Sequence, residues 1–166
     1  MKLLKHPSAF DGVNNYFGST YYMKFKLDMQ EMEEDFFEDT RLLGIVSSVK
    51  DYQLCWFFNQ LFRFNFRMNN DIEIQLTKKQ RKYFFPVYEY CEPSSSLVHY
   101  IYNNQDDGEY LLSEFKHLDF LWLLKGDRVD NEIVSSMVNS IRSINGIQMV
   151  MELTNEKIVH KGHLIF

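Results

Sequence analysis

A chain of 166 residues is the length of one ordinary domain, and its 45% hydrophobic content, with 15 Phe and 10 Tyr, can fill a dense core. Only 7 glycines argue against a glycine-rich phosphate-cradling loop, and no run approaches the ~18 apolar residues of a membrane span. The net charge of −5 is set by one segment, Asp28 to Asp39, which carries seven acids and no base and without which the chain would be slightly basic.

Residues 1–22 follow neither a helical nor a strand period and are rich in Asn, Gly, Ser and Tyr, so an irregular extension is expected there. Pro7, Ser8 and Asp11 interrupt what would be the apolar core of a secretory signal. Cys55 and Cys91 therefore read as free thiols of a cytoplasmic protein. A single α+β domain is expected over 23–166. It opens with a half-buried strand in which Phe25, Leu27 and Met29 alternate with Lys24, Lys26 and Asp28.

Arg41–Val46 is a short apolar strand. Ser48 is then expected to cap a helix with Asp51 in its first turn. Leu54, Phe57, Phe58, Leu61 and Phe62 fit the i, i+3, i+4, i+7, i+8 stripe of that helix. Tyr52, Cys55 and Trp56 widen the stripe until mainly Lys50, Gln53 and Gln60 are left for water, so the helix should be deeply buried or covered by a second chain. Phe62, Phe64, Phe66 and Met68 alternate with Arg63, Asn65 and Arg67 as a strand. Ile72–Leu76 is another candidate strand, and Phe84–Tyr90 with Leu97–Tyr102 reads as a hairpin about the turn at Glu92–Ser96.

Asn103–Gly108 is a polar turn and Leu118–Lys125 a strand apolar on both faces, hence central in its sheet. Asp127 or Asp130 can cap the last helix, striped by Ile133, Val134, Met137, Val138, Ile141 and Ile144, and Ile147–Leu153 alternates as a final strand. The expectation is a largely antiparallel sheet of about six strands covered by two amphipathic helices.

The stretch Leu112 to Asp127 (LSEFKHLDFLWLLKGD) places Glu114, His117 and Asp119 within six residues. An odd separation puts Glu114 and Asp119 on opposite faces of a strand, and five helical steps leave them roughly 140° apart. Only a turn between them could make an acid/base pair. Asp119, at the mouth of a central strand, is better suited to accept backbone N–H bonds from a neighbouring turn. Leu112–Phe120 resembles the IPExxxVDY signature of a family of small bacterial proteins: Glu114 and Asp119 match its acids, Leu112, Leu118 and Phe120 stand for Ile, Val and Tyr, and Ser113 departs from the Pro. The flanking LLGIVSSVKDYQLCWFFNQL and the terminal HLIF extend the resemblance over roughly 23–166. It implies no particular activity, and its acids are candidate functional residues.

His160 and His163 are spaced i, i+3 but lack a Cys or acid at metal-site spacing, so a solvated turn is expected. His99 and His117 read as structural, and Cys91 has no sequence-local base. No nucleotide-binding, serine-hydrolase or zinc-peptidase motif occurs, and no cofactor or metal is implied. A basic patch of Arg63, Arg67, Lys78, Lys79, Arg81 and Lys82, beside Tyr83 and Phe84, offers phosphate neutralisation and base stacking, against a pI of about 5.5 that disfavours a nucleic-acid partner. The leading expectation is a non-catalytic interaction module forming a homodimer or binding a protein partner. The alternatives are a small-ligand pocket around Glu114, His117 and Asp119 and, behind it, single-stranded nucleic-acid binding.

Overall fold

The computed structural model describes residues 29–166 except Asp127, and Phe36–Phe166 forms one compact unit. The expected extension over 1–22 lies outside the described residues, as does the expected first strand up to Asp28; Met29 itself is helical, in α1 (residues 29–37). After it come β1 (Arg41–Ser47), α2 (Asp51–Phe62), β2 (Arg67–Met68), β3 (Ile74–Lys78), β4 (Arg81–Phe85), β5 (Val87–Cys91) and β6 (Val98–Asn103). The small strands β7 (Gln105–Asp106) and β8 (Glu109–Tyr110) precede β9 (Phe120–Lys125), α3 (Asn131–Arg142) and β10 (Ile147–Leu153). Among the described residues no helix is long and apolar enough to cross a membrane.

Six strands form an antiparallel sheet in the order β10-β1-β9-β6-β5-β2. The doubly apolar β9 is central, as its sequence requires, with Trp122 opposite Leu43 on one side and Ile101 on the other. Because successive side chains alternate, the sheet carries two cores. Leu43, Ile45, Ile101, Phe120, Trp122 and Leu124 pack under α2 and α3, through Leu54, Cys55 and Phe58 of the first and Val134, Met137 and Ile141 of the second. On the other face Leu42, Tyr102, Leu121 and Leu123 lie beneath irregular chain that supplies Leu111, Leu112, Leu118, Ile158 and Leu164. Gly44 serves this second face: a Cβ there would stand 2.4 Å from Leu118 Cδ1, so the close approach of loop to strand requires glycine.

Local chemistry explains where the elements depart from expectation. The strand read over Phe62–Met68 pairs only at Arg67 and Met68, opposite Glu89 and Tyr88. Arg63 turns the chain out of α2 in the left-handed region at φ 59. Asn59 then takes both ladder groups of Phe66: its Oδ1 accepts the Phe66 N–H at 2.7 Å and its Nδ2 donates to the Phe66 carbonyl at 3.2 Å. The aromatic alternation survives as packing, since Phe66 is buried and Phe62 and Phe64 lie against the same core.

Ser48 is not the cap of α2. Lys50 holds that position and gives its N–H to Gln53 Oε1 at 3.1 Å. Asp130 occupies the N-cap of α3 without a side-chain capping bond. Pro86, which has no N–H to give a ladder, divides the expected strand Phe84–Tyr90 into β4 and β5. β4 instead returns on β3 through Lys79 and Gln80, both at positive φ, the mirror-image turn that a two-residue hairpin favours.

Candidate functional site

The chain between β8 and β9 is the stretch that resembles the family signature, and it is built around one residue, Asn104. Its side chain is fully buried. Nδ2 donates to the carbonyls of Phe115 and Leu118, each at 2.9 Å, and Oδ1 accepts the Leu112 N–H at 2.8 Å. Its main chain accepts from Leu111 N and donates to the Asp119 carbonyl. A loop cannot satisfy its own backbone as a helix does, so a buried amide does it.

Glu114 and Asp119 serve the same end in different places. Asp119 Oδ2 accepts the Ser47 N–H at 2.8 Å, at the irregularity that ends β1, as expected for an acid at the mouth of a central strand. Glu114 Oε1 accepts the N–H groups of Val159 and His160 at 2.8 and 2.9 Å, and Oε2 meets His160 Nδ1 at 2.8 Å. Burial pushes the Glu114 carboxyl up, but the bonds from His160 and Val159 outweigh it and hold the group below the ordinary carboxylate value.

Glu114 and Asp119 thus share no hydrogen-bond partner, and His117 is exposed with an edge contact to Phe115. Asp119 lines a cleft of about 280 Å³ with Lys50, Asp51 and Asn103, a lining in which Glu114 and His117 take no part.

The basic residues are also divided. Arg63 and Arg67 line an open cleft of about 730 Å³ at the β2 edge, together with Asn65, Asn69, Glu89 and Cys91. Lys78, Lys79, Arg81 and Lys82 belong to the β3–β4 hairpin, where Lys78 pairs with Glu109 at 2.6 Å and Arg81 pairs with Asp107. Lys79 and Lys82 are exposed. Two of the four hairpin cations are therefore already matched to acids of the adjoining β7–β8 segment.

Beneath the helical core lies a polar relay that the sequence did not reveal. His99 is fully buried. The Trp122 indole N–H donates to its Nδ1 at 3.2 Å, so that the ring's own proton sits on Nε2, 3.2 Å from Glu92 Oε1. Phe64 and Tyr90 flank the ring at centroid distances of 4.9 and 5.5 Å. Burial lowers the His99 pKa and Glu92 only partly restores it, so the neutral ring is favoured. Cys55, in the same core, is pushed up to about 12 by burial and then by the Asp51 charge, which favours the thiol over the thiolate. No periodicity marks Asn104 or His99; an Asn-Asn pair in a polar turn and a His in an apolar strand are the only traces.

The remaining distinctive surface is the outer side of α2. With Leu54, Cys55 and Phe58 turned inward, steps of about 100° carry Trp56 to the solvent side between Gln53 and Gln60. Trp56 is 57% exposed and Tyr52, one turn earlier, 63%. Phe57 packs edge-on against Trp56 at 5.3 Å. Comparison with family models, with curated proteins and with solved structures finds no match to this chain.

Proposed function

We propose that this protein is a non-catalytic interaction module of the IPExxxVDY kind that works in a reducing cytoplasm and associates with a second copy of itself through the outer face of α2. The observation that carries the reading is Trp56, with Tyr52 beside it. A large aromatic side chain left in water on a helix whose opposite face is fully packed is unfavourable for an isolated chain and is the side chain interfaces most often use as an anchor. Two free cysteines, Cys55 buried and Cys91 exposed, accord with a reducing compartment.

The signature acids fit a structural role in this reading. Glu114 and Asp119 each accept backbone N–H groups from chain distant in sequence, which supports reading them as fold-holding residues. Sedimentation velocity over a range of concentrations tests the proposal. Wild type is expected to form a dimer that Trp56→Glu converts to a monomer with an unchanged circular-dichroism spectrum. A wild-type monomer at the highest concentration overturns it.

A further inference from the structure

The run Arg63-Phe64-Asn65-Phe66-Arg67 alternates like a strand yet makes almost no ladder, and its polar members are exposed along the open cleft at the β2 edge. We propose that this cleft binds the phosphate monoester of a hydroxylated small molecule, with the phosphate held between Arg63 and Arg67. Both cations are unmatched. Arg67 stands opposite Glu89 in the strand pair, a place where opposite charges normally meet. Among the described residues no ion pair forms there. Asn69 Nδ2 donates to Glu89 Oε2 at 2.6 Å, and Arg67 Nε donates to Asn65 Oδ1 at 3.3 Å. That bond leaves the two Nη groups of Arg67, which can grip an oxyanion in parallel bonds, without a partner among the described residues. Arg63 has no hydrogen-bond or ion-pair partner among them, whereas Arg41 and Arg81 pair with acids and Arg142 binds a carbonyl.

The geometry brings the donors together. Asn65 lies between the two arginines in the chain, so its bond draws the Arg67 head back towards Arg63. Because Asn65 Oδ1 is the atom engaged, its Nδ2 is left as a third donor in the same cleft. The core side of the run holds all three in place. Phe64 stacks on Tyr90 with centroids 4.6 Å apart, and Asn59 binds both main-chain groups of Phe66. Arg63 is fixed in the left-handed region at φ 59, at the end of α2. Donors already positioned by the fold lose less entropy on binding than donors the ligand must gather.

The lining also selects the ligand. Two guanidinium groups match a phosphate monoester, which carries about −1.5 to −2 at neutral pH, better than they match a lone carboxylate. The cleft volume of about 730 Å³ lies within the ~300–1,000 Å³ usual for small-molecule sites, so an organic part fits beside the phosphate. Asp71, on the loop after β2, lines the same cleft, and among the described residues nothing engages its carboxylate. An acid there repels a second phosphate, which disfavours a nucleic-acid strand, and it accepts hydrogen bonds from hydroxyl groups of the organic part.

The test titrates the full chain by calorimetry with adenosine monophosphate, ribose phosphate and inorganic phosphate, with adenosine and succinate as controls. Arginine side-chain ¹H–¹⁵N spectra follow the same titrations. Each ester is expected to bind once per chain and to move the Arg63 and Arg67 signals. It should also slow alkylation of the exposed Cys91, which lines the cleft, and leave the buried Cys55 as it was. Inorganic phosphate is expected to bind more weakly and adenosine not at all. Arg63→Gln and Arg67→Gln should each weaken ester binding by about tenfold or more with an unchanged circular-dichroism spectrum. A chain carrying Lys79→Ala and Lys82→Ala on the β3–β4 hairpin should bind as wild type does. The tighter of the two esters identifies the source as nucleotide or sugar. The proposal is overturned if neither ester binds, if succinate binds as tightly as they do, or if the hairpin variant loses as much affinity as the arginine variants.

Discussion

The two faces of the sheet are covered by different means. On one, α2 and α3 satisfy their own backbone groups and need only present apolar side chains, so Leu54, Phe58, Val134 and Ile141 suffice. On the other, the β3–β4 hairpin adds Ile74 and Phe85, but much of the cover is loop, 3₁₀ turn and C-terminal tail, whose N–H and C=O groups lack a continuous ladder of their own. Polar side chains must supply the partners, and Asn104, Glu114 and Asp119 are spent on it. Tyr102 adds its hydroxyl to the Leu164 carbonyl at 3.2 Å. Acids in a short signature look like chemistry in a sequence; beneath an irregular cover they are equally what folding demands.

The sharpest way to break this contrast is Asn104→Leu, which keeps the branched shape and removes every polar atom of the side chain. It takes the amide partner from the Leu118 carbonyl and the Leu112 N–H and leaves the Phe115 carbonyl only its bond from the Leu118 N–H, and a loss of about 2–5 kcal/mol is expected in urea unfolding, with faster exchange of the Leu112 amide. A loss under 1 kcal/mol would end the idea that the loop face is polar-clamped. Gly44→Ala tests the close approach of the same loop. Leu118 must retreat from the new methyl, and about 1–3 kcal/mol should be lost. On the helical face Phe58→Leu, apolar for apolar, is expected to cost only about 1–2 kcal/mol, despite complete burial and a stacked contact with Trp122 at 4.7 Å.

The smallest effects are those of acid, and they too differ between the faces. Glu114 has a depressed pKa in the fold, so its stabilisation is present above the ordinary value of 4.5 and is lost as pH falls through the lower folded value. The stability gap between wild type and Glu114→Gln should therefore close below that pH. His99 is a base whose pKa burial lowers, so the unfolded chain takes up its proton first. Stability is expected to start falling already as pH drops below 6.5, and His99→Gln should flatten that part of the curve.

What the sequence discloses follows the same division. The stripe of α2, the stripe of α3 and the two apolar sides of β9 are periodic, and each element forms where its period places it, although Leu61 and Ile133, read into the two helix stripes, are exposed at the helix ends. Even the role of Asp119 is readable from its position at a strand mouth. The helix over 29–37 is not, because the acidic segment has little apolar stripe to announce it. Asn104 and the Glu114–His160 pair are contacts across the fold, set by where the elements meet rather than by any local spacing. Asn59 misleads in a further way: it leaves the alternation of Phe62, Phe64 and Phe66 intact while removing the ladder that alternation predicts.

The chain has two tryptophans, and their placement furnishes an optical gauge. Trp122 has no exposed surface and gives its indole proton to a histidine, whereas Trp56 is 57% exposed. Emission should therefore divide into a short-wavelength component shielded from aqueous quenchers and a long-wavelength component open to them. Iodide would silence only the second. Covering the outside of α2 would move that component to the blue and protect it, and opening the interior would move the first to the red, so a single fluorescence spectrum reports assembly and unfolding as separate events.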